Sequence, residues 1–141
     1  MTLKAQLNLI GPHEGRELAL MLAGKKSLAL FYAPLSERHV IPEADFEAHV
    51  REGTIVKVEK TIRHRHETDD RSPIVAVLYA LPGERWRMDT ALAIIEPVWQ
   101  GTRPPSPEDD IAIGRLLGYP EEAITQFIEL REGFGTDSKS N

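Results

Sequence analysis

Two stretches in the middle of the chain predict a β-hairpin, which restricts the possible folds more than any other feature of the sequence. Residues 54–64 alternate, with Val56, Val58 and Ile62 on one side and mostly polar residues on the other. Since successive side chains of a strand point to opposite faces, this period of two predicts a strand. Residues 74–81 (IVAVLYAL) form an apolar run that predicts a second strand. The polar segment between them is typical of an antiparallel hairpin with a long loop.

Further strands and helices are predicted before this hairpin. Alternation predicts a strand at residues 3–9, a short apolar run predicts another at 27–33, and apolar periodicity predicts helices at 13–23 and 42–51. Glycine or proline follows each of these four segments, as is typical of turns between elements.

Residues 84–96 fit either a strand or a helix. Trp86 and Met88 alternate as in a strand, whereas Met88, Leu92 and Ile95 fall on one face of a helix. We prefer the helix and expect Pro97 to end it, because proline lacks the N–H that would continue the hydrogen-bond ladder.

The C-terminal quarter predicts a helical hairpin. Ser106 is suited to cap a first helix, with Pro107 in its first turn and acidic residues near the positive end of its dipole. Gly118 is expected to end this helix, and a second helix is expected to begin at Pro120 and to end before Gly133.

These elements predict one compact α+β domain over residues 1–133. We expect a small mixed or antiparallel sheet of about four strands, helices on one face, and the C-terminal hairpin completing the core. Residues 134–141 are expected to form a disordered tail.

Composition restricts the class of protein further. The chain has 141 residues and no cysteine, which excludes disulfides, thiolate metal sites and a cysteine nucleophile and is consistent with a cytoplasmic, bacterial-type protein. No signal peptide is indicated, and the apolar runs are far shorter than the roughly 18 residues of a membrane span. Motifs such as GxSxG, the Walker loop and HExxH are missing, which favours a non-enzymatic protein without a cofactor.

The net charge of −5 lies in the C-terminal quarter. Residues 1–104 contain 14 basic and 14 acidic residues, whereas residues 105–141 contain 3 and 8. An acidic helical hairpin would be repelled by phosphate, so nucleic acid is excluded as its partner, and it would suit a basic protein. The alternative interpretation is a solvated helix face.

The residues predicted to contact a partner are charged residues of the C-terminal hairpin, one tyrosine, and one tryptophan with its arginine neighbours. The predicted partner-binding residues are Glu121, Glu122, Glu129 and Tyr119 in the hairpin, together with Trp86 and its neighbours Arg85 and Arg87. Tryptophan, tyrosine and arginine are enriched at the energetic centres of interfaces. The sequence therefore predicts a regulatory, inhibitory or accessory protein that binds a protein partner, and a homodimer is a further possibility.

A second functional hypothesis depends on the stretch IRHRHETDD. His64 and His66 share one face of the predicted strand, so their imidazoles could bind a divalent metal in a small enzyme or ligand-binding protein. The alternative is that these histidines lie at the solvated end of the hairpin, where the apolar alternation stops.

Overall fold

Three antiparallel strands form a sheet in the computed structural model, which describes residues 15–66, 73–126 and 128–129. The elements in chain order are α1 (Glu17–Leu22), β1 (Leu28–Pro34), a 3-10 helix (Leu35–Val40), α2 (Glu43–Glu52), β2 (Val56–Ile62), β3 (Ile74–Ala80), α3 (Arg85–Gln100) and α4 (Pro107–Leu116). Residues 121–126 and 128–129 are also helical. The strand predicted at 3–9 and the tail predicted at 134–141 lie outside the described residues.

The predicted hairpin is confirmed, and its second strand is the centre of the sheet. The strand order is β1-β3-β2, and β3 pairs antiparallel with both neighbours. Phe31 of β1 lies opposite Val77, and Val58 of β2 lies opposite Leu78. The prediction of a single α+β domain is therefore confirmed, with three strands in the described residues where about four were expected.

Helices cover both faces of the sheet, whereas one face was expected. Val77 and Tyr79 of β3 pack in a cluster with Met21 of α1 and Phe46 of α2. The other face of β3 packs in a second cluster with residues of α3 and α4, including Met88. The reason lies in the apolar run of β3: a strand without alternation has two faces that must both be removed from water.

Pro97 lies inside α3, so the expectation that it would end this helix was wrong. The helix continues to Gln100 and ends at Gly101, whose φ of 80° is in the left-handed region. The carbonyl of Pro97 accepts a hydrogen bond from the N–H of Thr102 over 3.0 Å, which closes the last turn. Packing also supports this turn, because the Trp99 ring lies 4.8 Å from the ring of Tyr32 on β1. These contacts offset the roughly 3 kcal/mol that an internal proline costs.

The C-terminal helical hairpin is present as far as the structure describes it. Ser106 caps α4, since its side-chain oxygen accepts from the N–H of Asp109 over 3.2 Å. A Cβ placed on Gly114 would lie 2.7 Å from Cγ1 of Ile124, so the two helices approach closely at this glycine. Among the described residues, none of the helices combines the length and the apolar character that crossing a lipid bilayer requires.

Candidate functional site

The C-terminal end of α4 is bound by two cationic side chains from other parts of the domain. Lys26, between α1 and β1, donates from Nζ to the carbonyl oxygen of Leu117 over 2.5 Å. Arg87, in the first turn of α3, donates from Nη1 to the carbonyl oxygen of Leu116 over 3.1 Å. The last carbonyls of a helix lack partners within it and carry its negative partial charge, so cations stabilise this end. These two contacts hold the turn of the helical hairpin against the domain.

Lys26 is almost completely buried, with 2% of its surface exposed. Its Nζ also lies 4.9 Å from the ring centroid of Tyr119, a distance typical of a cation–π contact. Burial lowers the pKa of Lys26 from 10.5 to about 8, although the negative charge of Glu17 acts in the opposite direction. Tyr119 is partly buried under this ammonium group, so at least one side of its ring belongs to the packing of the hairpin.

Trp86 lies at the start of α3 with 53% of its surface exposed. The guanidinium carbon of Arg87 lies 4.8 Å from the centroid of its ring. Arg87 also donates from Nε to Glu84 over 2.7 Å, and its side chain is 24% exposed. Arg85, on the other side of Trp86 in the chain, is exposed. Because Arg87 contacts both the indole and α4, the structure brings the Trp86 region and the helical hairpin together.

The acidic residues of the hairpin are exposed, but they differ in their contacts. Glu121 accepts a hydrogen bond from Nε of Arg115 over 2.8 Å, and this pair is highly exposed. Glu122 and Glu129 are exposed as well. The charge of Glu121 is thus partly compensated within the hairpin by Arg115.

The two histidines of the metal hypothesis lie close together, with 5.7 Å between their ring centroids. His64 Nδ1 accepts from the backbone N–H of His66 over 3.0 Å, which uses the lone pair that a metal would need at that nitrogen. The His64 ring lies against Gly101, where an added Cβ would be 2.3 Å from Nε2. No group of three metal-ligating side chains suited to an ion occurs within the described residues. These contacts explain His64 as a packing residue at the end of α3, and a metal role stays a prediction.

A second polar cluster was missed by the sequence reasoning. The guanidinium of Arg38 binds the carboxylates of Glu43 and Glu59, each through two hydrogen bonds of 2.8–3.0 Å. Lys57 Nζ lies 2.9 Å from Glu43 as well. The hydrogen bonds from Arg38, more than the nearby charge of Lys57, lower the pKa of Glu43 to about 2 against the effect of its burial. The cluster joins the 3-10 helix, α2 and β2. Its contacts link residues 5, 14 and 21 positions apart, which are separations that no single helix or strand period brings together.

Lys26 was also missed, although one signal was available. It follows Lys25 at the predicted end of α1, where lysines are commonly solvated, and it directly precedes the apolar run of β1. The position of Lys26 next to a buried strand indicates only weakly that the lysine itself is buried. Long cationic side chains in such positions usually extend until the charged group reaches water.

No protein-family model matches this chain, and neither a curated protein nor a solved structure does.

Proposed function

We propose that this chain is an accessory or regulatory protein of a bacterial-type cytoplasm that binds a protein partner. Its binding surface, which we call the indole–hairpin surface, consists of Arg85, Trp86, Arg87, Tyr119, Glu121, Glu122 and Glu129. The partner is a protein with an apolar pocket for the indole and with basic groups around that pocket.

The observation that carries this proposal is the double contact of Arg87 with the Trp86 ring and with the carbonyl of Leu116. It joins two regions that are far apart in the chain into one surface. A half-exposed tryptophan beside an ordered arginine has the composition of an interface hot spot. A single exposed tryptophan without such contacts would not by itself indicate a binding site, because isolated exposed apolar residues are common on protein surfaces.

Charge supplies the second argument, because it favours one class of partner. Glu122 and Glu129 are exposed, and the C-terminal quarter holds the whole net negative charge of the chain. Complementary potentials accelerate encounter and exclude partners of like charge. A basic rim on the partner would meet these carboxylates while its apolar centre meets Trp86.

The test is capture followed by titration. The purified chain is immobilised, the retained protein is identified by mass spectrometry, and its dissociation constant is then measured with the purified pair. We expect Trp86→Ala to raise that constant about 30-fold, the equivalent of about 2 kcal/mol for a hot-spot residue. We expect Glu122→Lys/Glu129→Lys to slow association and to weaken its dependence on salt concentration.

A matched control is available on the opposite face of the sheet. Asp45 and Glu47 are exposed on α2, so Asp45→Lys/Glu47→Lys changes the net charge by the same amount away from the indole–hairpin surface. This variant should bind the partner as the unmodified chain does. If all three variants bind equally well, the partner uses another surface and the proposal is wrong.

A further inference from the structure

We infer that Arg87 is the positioning residue of the indole–hairpin surface. Arg87 fixes the Trp86 indole relative to the end of α4, so that a partner binds the indole and the helix end as one pre-formed surface. The role of the partner rests on the proposed function. The positioning itself is a property of the isolated protein and can be tested without a partner.

Three contacts of one guanidinium support this inference. Arg87 binds Glu84 over 2.7 Å and the carbonyl of Leu116 over 3.1 Å, and it lies 4.8 Å from the centroid of the Trp86 ring. A guanidinium is planar and presents its donors in fixed directions. When Glu84 and Leu116 hold two of these donors, the plane of the group is set, and so is the surface that it offers to the indole.

The end of α4 is itself held from a second side. Lys26 binds the next carbonyl, that of Leu117, from a buried position. Arg87 thus connects the indole to a helix end that is already anchored to the domain. The indole is therefore ordered before binding, which removes part of the entropy that a free side chain would lose on association.

The contact with Arg87 also determines which group of the partner meets the indole. The guanidinium already supplies a cation to the ring, and a second cation brought to Trp86 would be repelled by it. The exposed half of the indole therefore fits an apolar group of the partner. The partner's basic groups would instead meet Glu122 and Glu129, which lie in the hairpin.

The experiment measures acrylamide quenching of Trp86 fluorescence in a Trp99→Phe background, where Trp86 is the single tryptophan of the chain. Arg87→Met should raise the quenching constant, and Arg87→Lys should restore it in part, because lysine keeps the charge but cannot span Glu84 and Leu116. The quenching constant should rise because the indole loses its preference for the rotamer that contacts Arg87. An exposed cation–π contact favours such a rotamer by about two- to fivefold, and Arg87→Met should remove this preference.

Two arginines supply matched controls for loss of charge and of a helix contact. Arg85 is the other neighbour of Trp86 and is exposed. Arg103 binds the carbonyl of Ile94 over 3.0 Å toward the other end of α3. Arg85→Met and Arg103→Met should leave the quenching of Trp86 unchanged, and quenching that rises equally in all three methionine variants would overturn the inference.

The link to the helical hairpin is tested with Ile124→Ala, which removes the side chain that packs on Gly114 of α4. This change should alter Trp86 quenching when Arg87 is present and should have at most half of that effect with Arg87→Met. An equal or absent effect in the two backgrounds would contradict the link. If Arg87→Met frees the indole but Trp86→Ala still binds the captured partner normally, the positioning role stands and the proposed function fails.

Discussion

Replacing Lys26 with methionine should change how the stability of the domain depends on pH. Burial lowers the pKa of Lys26 to about 8 in the folded protein, from an ordinary value of 10.5 that applies to the unfolded chain. Between these two values the unfolded chain binds more protons, so the folded state gains stability as pH rises. Methionine has a similar unbranched shape and no charge, so Lys26→Met should lack this gain.

The magnitude follows from the two pKa values. At about 1.36 kcal/mol for each pH unit, the difference between 10.5 and about 8 limits the effect to about 3.4 kcal/mol. Between about pH 7 and about pH 9.5 most of the titration of the folded state occurs, and linkage gives about 2 kcal/mol. The unmodified chain should therefore gain about 2 kcal/mol relative to Lys26→Met over this interval.

Urea unfolding followed by circular dichroism measures this difference at the two pH values. Lys25 is adjacent and exposed, so Lys25→Met is the matched control and its stability should run parallel to that of the unmodified chain. The result that would refute the reasoning is a stability difference between the unmodified chain and Lys26→Met that is the same at both pH values. In that case the ammonium would be as well solvated in the folded protein as in the unfolded chain.

Three further predictions concern the core and the polar cluster. Gly101→Ala should destabilise the domain by about 0.5–1.5 kcal/mol more than Gly53→Ala in thermal unfolding, the cost of moving the His64 ring off its rotamer, because both glycines have φ near 80° but only Gly101 of the two has a side chain against it; equal losses would contradict the contact. The hydroxyl of Tyr79 is buried and has no hydrogen-bond partner among the described residues, so Tyr79→Phe should keep or increase stability, and a loss of more than about 1 kcal/mol would show that the hydroxyl is paired. Since Arg38 lowers the pKa of Glu43 to about 2, the stabilisation by this pair is present above pH 4.5 and should disappear as pH falls from 4.5 toward 2. In Arg38→Met the stability of the domain should therefore fall less steeply over this pH range, and an unchanged slope would argue against the pair.

Local structure was predictable wherever one short-range rule decided it. The period of two in β2 and the capping serine of α4 are examples, since Ser106 both precedes the acidic first turn and accepts from Asp109. The apolar run of β3 also indicates that both faces of this strand are buried, because none of its positions is polar. Helices on both sides of the sheet could have been predicted from it.

The rest depended on pairs that are distant in the chain. The expectation that Pro97 ends α3 was wrong because the packing of Trp99 on Tyr32, a residue of another element, supports a further turn of the helix. Residue types alone indicate the members of the indole–hairpin surface, whereas the connection that Arg87 makes between them depends on the carbonyl of Leu116, 29 residues away. Such contacts leave no local pattern, since the sequence does not show which face of one element meets another.

The hydrogen bond between Lys26 and Leu117 also has a consequence for the order of events during synthesis. The two residues are 91 positions apart, so at about 5–20 residues per second the lysine waits roughly 5–18 s for its acceptor. During that time its charge stands next to the apolar strand that begins at Leu28. A cation beside an apolar segment opposes aggregation of the nascent chain, so we expect the residue that is costly to bury in the finished domain to protect the chain before its last helices arrive.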